Sequence, residues 1–332
     1  MLQEDIKKYY GVDGLVAEDV MDSPHLFIDY GNPFIERPNE CQFSRDAEVF
    51  SATLNWKTIG SEDMETIREQ MTGLDRPDFG VTEFGEDAYW ITLPSFQTSG
   101  ENTKELKRII KTVGEMAEDL QKADTIVFDM RGNTGGNSSW GDQILRALWG
   151  KEIFAHAGRG WSFIDWRVSE GNIRANNYFA DLYLGIDGEE GGRVKYFRGL
   201  ATSLQKELDA GNTFYRIANT SPIKDQKPEP PEANVFLLTN FTCFSACLDF
   251  ADTVRSIPGV THIGSPTRAD AIYIDNWAEP LPSGLQRLSY SMKVYRDRTR
   301  GHNEPYIPHI AYEGGDWSTS ALQQWVSSLI KE

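Results

Sequence analysis

From about residue 86 the sequence alternates between short apolar runs typical of strands and longer amphipathic runs typical of helices. Residues 88–93 and 125–130 are apolar enough to form buried strands. Between them, a helix is predicted from apolar residues at three- and four-residue spacing: Leu106, Ile109, Ile110, Val113, Ala117 and Leu120. Strand patterns recur at 235–239 and 261–264. Strands that alternate with helices predict an α/β domain with a mainly parallel sheet.

Two parts of the chain lack this alternation. Residues 1–85 are irregular and rich in turn signals, so we expect a small N-terminal domain or cover there, with one helix from Ser61 to Met71. Residues 151–234 carry many aromatic side chains, a predicted helix around Ala201 to Ala210 and a Pro-rich connector. The predicted domains are therefore 1–85 and 86–332, with an aromatic-rich insertion at 151–234.

Composition and charge exclude several classes of protein. The 332 residues include 33 Lys and Arg against 50 Asp and Glu, which gives a net charge of −17. An acidic surface repels phosphate backbones, so a nucleic-acid partner is not expected. The longest uncharged apolar runs are far shorter than the ~20 residues of a membrane span, and the first residues lack the basic and apolar segments of a signal peptide. We therefore predict neither a span nor a signal peptide in this chain.

The three cysteines are Cys41, Cys243 and Cys247. Three is an odd number and too few for a disulfide scaffold. Cys243 and Cys247 are four residues apart, but no second Cys or His pair at ligand spacing accompanies them, so no zinc site and no other metal is predicted. We expect both to be small buried apolar residues.

A glycine-rich loop follows the predicted strand at 125–130. It covers residues 129–138 and joins the strand to a predicted helix. Amides left free at such a turn can converge on an anion, helped by the helix dipole. No Lys-Ser/Thr pair follows, so the loop is not a phosphate loop of a nucleotide hydrolase. A tight turn ahead of a capped helix is the alternative.

A second strand-to-helix loop covers residues 240–247 and places Ser245 at the start of a helix. A hydroxyl at this position can face a cleft, and the following amide, that of Ala246, can stabilise an oxyanion. Serine is also a favoured helix N-cap, so a purely structural role is the alternative.

Together, the two loops resemble the tail-specific, or C-terminal-processing, serine peptidases, a family that includes the Tricorn core and the interphotoreceptor retinoid-binding repeats. The family's Asp-Leu-Arg-x-Asn-x-Gly-Gly segment is similar to residues 129–136, and its Ser-Ala-Ser-Ala-Ser-Glu segment is similar to residues 243–248. The family's nucleophile falls on Ser245. Downstream, residues 263–267 match Val-Gly-Glu-x-Thr.

The resemblance implies a ClpP/crotonase-like α/β fold and a serine peptidase that cleaves peptide bonds through a Ser245 acyl-enzyme. The amides of Gly135 or Gly136 and of Ala246 would form the oxyanion hole. The substrate would be a peptide or protein, and no metal or organic cofactor is implied. Because relatives are often exported, a periplasmic or extracellular location is expected by analogy.

The general base departs from the family pattern. Asp270 stands where Ser/Lys members have lysine, and Thr92 stands where the Tricorn branch has histidine. A carboxylate with an ordinary pKa near ~4 is a weak acceptor for a serine proton. Asp270 is nevertheless the position at which a catalytic partner is predicted, and it could also orient a histidine. Other candidate bases are Lys293, His262, His302 and His309. The alternative is a catalytically silent relative that binds a peptide or an apolar ligand.

Residues 296–306 are locally basic within this acidic chain. Their guanidinium groups could bind a substrate carboxylate bidentately, and the alternative is a solvated hairpin that neutralises nearby acidic residues. A carbohydrate-active enzyme is a third hypothesis, based on nine tryptophans and many carboxylates. That hypothesis requires two catalytic carboxyls about 5–10 Å apart.

Overall fold

The computed structural model describes residues 36–45, 48–60, 77–151, 160–219 and 230–330. The strands in this part of the chain are β1 (Glu40–Arg45), β2 (Glu48–Thr53), β3 (Gly80–Glu83), β4 (Ala88–Thr92), β5 (Thr125–Asp129), β6 (Phe163–Arg167), β7 (Phe214–Ala218), β8 (Asn234–Thr239), β9 (Thr261–Gly264), β10 (Tyr273–Pro280), β11 (Arg287–Arg296) and β12 (Ile310–Ala311). The helices are α1 (Gly100–Glu115), α2 (Ala117–Lys122), α3 (Ser139–Trp149), α4 (Glu170–Asp187), α5 (Gly192–Asp209), α6 (Ala246–Arg255) and α7 (Thr319–Leu329).

The central sheet has six strands in the order β12-β9-β8-β5-β4-β3. Its neighbouring pairs are parallel except for β3 with β4, which is antiparallel. Parallel neighbours require long crossover connections, and helices α1, α2, α3 and α6 lie in those connections. The predicted mainly parallel α/β fold is confirmed.

The sheet is buried on both faces because apolar residues on its strands point alternately to opposite sides. In β5, Ile126 and Phe128 belong to the core on one side, together with residues of α1, α3 and α6. Val127 belongs to the core on the other side, where α7 contributes Leu322 and Val326. A strand that is apolar at every position is what a doubly covered parallel sheet requires.

The helix predicted between the first two core strands is present but divided. Helix α1 ends at Glu115 and α2 begins at Ala117, because Met116 has φ −98° and ψ 7°, outside the helical region. Leu106 and Leu120, one from each helix, still contribute to the same core cluster. The apolar spacing was therefore a correct guide to burial but not to helix continuity.

The insertion contributes to a second, antiparallel sheet with strand order β10-β11-β6-β7. Two strands come from the predicted insertion, whereas β10 and β11 come from residues 273–296. Helices α4 and α5 cover this sheet, and its core includes Trp166, Leu204 and Met292. The helix predicted around Ala201 is part of α5, which starts at Gly192. The aromatic-rich region thus supplies both helices and two of the four strands of a second α/β unit, which extends beyond residue 234.

The N-terminal part of the described chain contains the β1–β2 hairpin, which pairs only with itself. The helix predicted from Ser61 to Met71 lies outside the described residues. Residues 80–83 form the antiparallel edge strand of the central sheet, so that sheet begins slightly before residue 86. The division into 1–85 and 86–332 stays a prediction. None of the described helices is both long enough and apolar enough to cross a bilayer.

Candidate active site

The two strand-to-helix loops meet at the carboxyl ends of β5 and β8. A Cβ atom built on Gly135 would lie 2.6 Å from the Phe244 carbonyl oxygen, 2.8 Å from the Ser245 Cβ and 2.9 Å from the Ala246 nitrogen. Because real Cβ atoms do not approach this closely, only glycine allows this contact. Gly135 also has φ +96°, a conformation that favours glycine.

Hydrogen bonds join the loops on either side of this contact. The Gly132 amide donates to Thr242 Oγ1 at 2.9 Å, and Thr242 Oγ1 donates to Asn240 Oδ1 at 2.5 Å. The Phe244 amide donates to the Asn133 carbonyl at 3.4 Å. The glycine loop and the serine loop therefore form one structural unit.

Ser245 has an unusual backbone conformation, with φ +56° and ψ −119°. This is the geometry of the first central residue of a type II′ turn, a position that favours glycine. The Cys247 amide closes the turn by donating to the Phe244 carbonyl at 3.1 Å. A non-glycine residue held in such a conformation costs about 1–3 kcal/mol and is typical of functional sites.

The Ser245 side chain is not used as a helix cap, although it precedes α6. No side-chain capping hydrogen bond is formed. In contrast, Ser318 at the start of α7 accepts a hydrogen bond from the Ala321 amide. Ser245 is also partly exposed. The helix-capping role that the sequence allowed for this serine is therefore not observed.

The three amides predicted for an oxyanion hole differ in their availability. The Gly135 amide donates to Asn133 Oδ1 at 2.9 Å and is already used. Among the described residues, the amides of Gly136 and Ala246 donate no hydrogen bond. Gly136 has φ +133°, and a side chain there would overlap the Phe96 carbonyl. Two amides, one from each loop, are thus available to donate hydrogen bonds to a ligand oxygen.

The Asp-x-Arg part of the glycine-loop motif is a buried ion pair. Arg131 Nε lies 2.9 Å from Asp129 Oδ1, and Arg131 Nη2 lies 2.5 Å from Asp129 Oδ2. Trp90 Nε1 donates to the same carboxylate at 2.9 Å. The remaining guanidinium donors bind the Trp317 carbonyl and Thr319 Oγ1 at the start of α7. This pair fixes the loop to the last helix.

Asp270 lies in a second buried ion-pair cluster. Its carboxylate contacts Arg298 Nη2 at 2.8 Å and Arg300 Nη2 at 3.3 Å. Arg300 Nη2 also lies 3.1 Å from Asp249 Oδ1 and 3.6 Å from Asp252 Oδ2 on α6. Burial raises the pKa of Asp270, and the two arginines oppose that change.

For the two alternatives for residues 296–306, this cluster shows arginines that neutralise acidic residues, as the second alternative expects, but that are buried rather than solvated. The side chains of Arg298 and Arg300 are only 4% and 2% exposed. Arg296 donates to Asp165 at 2.8 Å in the second sheet. The expectation of a solvated hairpin is therefore wrong for the two buried arginines, because tertiary packing brings them against acidic groups up to 51 residues away in sequence.

The other candidate bases have partners of their own. Lys293 Nζ pairs with Asp275 Oδ2 at 2.7 Å, which together with neighbouring Tyr295 raises the pKa of the lysine despite its burial. His262 is buried and contacts Thr239 Oγ1 at 2.7 Å, and burial lowers its pKa to about 3.

His309 Nδ1 accepts a hydrogen bond from the His262 amide at 3.0 Å, and His302 Nδ1 accepts one from the Ile272 amide at 3.3 Å. Within the described ranges, no hydrogen bond or ion pair joins Ser245 to a lysine, histidine or carboxylate. In the same ranges, no three His, Cys, Asp or Glu side chains converge as metal ligands would.

One expectation for the serine loop is wrong. Cys243 and Cys247 are buried, as predicted, but they form a disulfide across Ser245, with Cα atoms 5.3 Å apart. Their spacing around a strand-to-helix junction was the available signal, since the turn at Ser245 returns the chain on itself. Cys41 is free.

No family model matches the chain, and no curated protein matches it. Several solved structures do. Mature CPAF is 14% identical, with a TM-score of 0.44, over 74% of this chain and 52% of its own, so this chain spans about half the length of that protein. The photosystem II D1 C-terminal processing protease is 12% identical, with a TM-score of 0.35, over 71% of this chain and 45% of its own. A Bacteroides fragilis protein assigned to the S41 proteases is 11% identical, with a TM-score of 0.41, over 87% of this chain and 66% of its own. The solved structures to which this chain is similar thus include C-terminal processing and S41 proteases, the group that its two loop motifs resemble.

Proposed function

We propose that this protein is a serine hydrolase and, following the motif resemblance, a peptidase with Ser245 as its nucleophile. The conformation of Ser245 is the observation that carries this proposal. A strained φ of +56°, no capping bond and partial exposure together present the hydroxyl at a strand-to-helix turn, as in nucleophile elbows. Among the described residues, two nearby amides donate no hydrogen bond: that of Ala246, which follows Ser245, and that of Gly136, which follows the glycine packed against this turn.

In the proposed reaction, Ser245 Oγ attacks the carbonyl carbon of a peptide bond and loses its proton to a base. The carbonyl oxygen becomes an oxyanion, which accepts hydrogen bonds from the Gly136 and Ala246 amides. The amine leaves with a proton, and an acyl-enzyme on Ser245 remains. Water then attacks the ester and regenerates the serine. The Gly135 amide positions the loop through Asn133 rather than binding the oxyanion.

Asp270 stays the proposed catalytic partner. Its raised pKa favours proton uptake, whereas its contacts with Arg298 and Arg300 favour the ionised form. Asp270→Asn tests the first role, because asparagine keeps the shape and one acceptor oxygen for Arg298 but cannot take up a proton. A general base contributes roughly 10²–10⁴-fold, so a loss of that size in kcat with a normal KM supports the role of Asp270 in proton transfer. A loss below tenfold contradicts it.

A second function is favoured by one observation: in the described part of the chain, Ser245 contacts no lysine or histidine. A protein with the same two amides but no base would bind a peptide carbonyl without cleaving the chain. The surface beside the two loops would then be the peptide-binding site.

A fluorophosphonate probe with mass-spectrometric mapping distinguishes the two functions. If the protein is a hydrolase, Ser245 is labelled and the label disappears in Ser245→Ala. Ser318→Ala is the matched control, because Ser318 also begins a helix but uses its hydroxyl as a cap. Absence of labelling, together with binding of unstructured peptides in a calorimeter, contradicts the hydrolase and supports the binding protein.

A further inference from the structure

The disulfide between Cys243 and Cys247 brackets the candidate nucleophile and links the residue before its turn to the last residue of that turn. We propose that this disulfide positions Ser245, and that its reduction switches the site off while the fold persists. The part of this proposal that concerns activity rests on the proposed function. The positioning of the backbone can be tested without it.

The disulfide acts on the strained residue directly. The type II′ turn at Ser245 runs from Phe244 to Cys247, so one sulfur lies just before the turn and the other is on its last residue. A non-glycine residue keeps a positive φ only where its surroundings fix it. One hydrogen bond, from the Cys247 amide to the Phe244 carbonyl, closes the turn. The disulfide links the same short segment of the chain.

Both ends of the disulfide are attached to the rest of the molecule. The Cys243 carbonyl accepts a hydrogen bond from the Arg268 amide at 3.1 Å, and the Cys243 amide donates to the Asn240 carbonyl at 3.0 Å. Cys247 lies in the first turn of α6 and belongs to the main core. Because both cysteines are held in place, the disulfide between them restricts the backbone conformation of Ser245.

The fold has other sources of stability, so it is expected to persist without the disulfide. Helix α6 buries Leu248, Phe250, Ala251 and Val254 against the central sheet. The loop closed by the disulfide is very short, and short loops remove little entropy from the unfolded chain. The effect of the disulfide should thus be concentrated on the turn.

The proposed switch requires a dithiol reductant. One reductant thiolate attacks the sulfur of either cysteine and forms a mixed disulfide, and the other cysteine leaves as a thiolate. The second reductant thiol then displaces the remaining cysteine. The protein gains two electrons and two protons as two thiols, and the reductant becomes a disulfide. Both cysteine sulfurs are fully buried, so exchange requires the turn to open and should be slow in the folded protein.

The test uses Cys243→Ala/Cys247→Ala in the full chain, with Cys41→Ala as the matched control. Cys41 is the free cysteine, in β1 and outside the turn. The first measurement is the backbone conformation of Ser245, from a crystal structure or from NMR couplings. We expect φ to become negative in the double variant while the rest of the fold is unchanged. A φ that stays near its original positive value overturns the proposal.

The second measurement is the rate of fluorophosphonate labelling at Ser245, with kcat and KM for peptide cleavage. In the double variant, we expect the labelling rate and kcat to fall at least tenfold with little change in KM. In Cys41→Ala, we expect all three quantities to stay unchanged. Equal labelling rates in the wild type and the double variant overturn the switch. If even the wild type is not labelled, the proposed function fails, and φ alone decides whether the disulfide positions the turn.

Should the double variant fail to fold, wild-type protein reduced with a dithiol and then alkylated provides the same comparison. Intact mass reports the redox state, and circular dichroism reports the fold. In a second reduced sample that is left unalkylated, loss of labelling that recovers after reoxidation supports the switch. Full labelling of protein in which both cysteines are alkylated overturns it.

Discussion

Two buried ion-pair clusters lie beside the candidate site, and they differ in how completely their hydrogen bonds are satisfied. In the Asp129–Arg131 pair, both carboxylate oxygens and every arm of the guanidinium have partners. In the cluster around Arg300, three guanidinium nitrogens find no partner among the described residues: Arg298 Nη1, Arg300 Nε and Arg300 Nη1. The second cluster also contains three carboxylates against two guanidinium groups.

This difference indicates two structural roles. In the Asp129–Arg131 pair, the charged groups already have hydrogen-bond partners. This pair therefore holds the glycine loop in a fixed position. The second cluster borders a cavity of about 90 Å³ lined by Asp252, Tyr306 and Trp161 among others, large enough for several water molecules. A cluster with spare donors and an excess carboxylate can change its protonation, whereas the saturated pair cannot do so without losing its hydrogen bonds.

The largest effect is expected from Arg131→Met, which leaves the fully buried Asp129 carboxylate without its counter-charge. Removing one partner of a buried pair costs about 3–5 kcal/mol. The free energy of unfolding, measured with urea, should fall by this amount. In Arg108→Met, which breaks an exposed pair with Glu105, it should fall by less than about 1 kcal/mol. Equal losses in the two variants would contradict the supporting role of the pair.

Arg300→Met should have a smaller effect. Asp270 keeps its contact with Arg298, and Asp249 keeps the hydrogen bond from Ser138 Oγ at 2.6 Å. Because this cluster has alternative donors, we expect the free energy of unfolding to fall by about 2–3 kcal/mol. This is less than the loss for a buried pair that is broken completely. Urea unfolding at pH 7 provides the comparison. A loss larger than that of Arg131→Met would reverse the proposed order of the two clusters.

The second cluster has more carboxylates than guanidinium groups, so we expect its contribution to stability to depend on pH. We expect no such dependence from the Asp129–Arg131 pair. Burial raises the pKa of Asp252 from 3.8 to about 6, despite the nearby Arg300. The folded state therefore binds a proton near pH 6 and the unfolded state only near pH 3.8. Stability from this group increases as the pH falls through that window and is lost as the pH rises, by up to about 3 kcal/mol.

Asp252→Asn should remove this contribution, so that the variant gains stability relative to the wild type at pH 7 and not at pH 4. His262 acts in the opposite direction, because its folded pKa of about 3 disfavours the folded state below pH 6.5. That contribution is common to both proteins and cancels in the difference. Asp181→Asn, at an exposed position of α4, controls for net charge. A constant difference between variant and wild type from pH 4 to 7 would exclude the raised pKa.

The smallest effect is expected from Ser138→Ala, at the point where the second cluster reaches the glycine loop. This change removes the hydrogen bond to Asp249 between the starts of α3 and α6. Asp249 keeps its ion pair with Arg300, so the free energy of unfolding is expected to fall by only about 1 kcal/mol. Ser139→Ala, next to it and exposed, should have no measurable effect on thermal unfolding. If both alanine variants unfold like the wild type, the hydrogen bond adds nothing to stability.

The sequence was sufficient where the determining pattern is local. Strand and helix periodicity predicted the parallel sheet, and parallel strands bring their carboxyl ends to one edge, where the two loops meet. The three glycines of the loop after the buried strand were expected to adopt unusual backbone angles, and Gly132, Gly135 and Gly136 all have positive φ. The position of Ser245 at the start of α6 followed from the same reasoning.

The sequence was insufficient where the outcome depends on distant contacts. The ion pairs of Arg298 and Arg300 join residues that are 28 to 51 positions apart, so their burial has no local signature. The disulfide depends on the turn at Ser245, which brings Cys243 and Cys247 together, and a count of cysteines does not contain that information. The partners of Lys293 and His262 likewise come from neighbouring strands and helices.

The positive φ of Ser245 has a consequence for how this chain balances stability against chemistry. Glycine would adopt that conformation without penalty, whereas alanine would not. Ser245→Gly should therefore unfold at a higher temperature than Ser245→Ala, although both lack the hydroxyl. If the residue was selected for durability alone, glycine would be the better choice at position 245. Under the proposed function, the hydroxyl at this position is kept at the expense of part of the protein's thermal resistance.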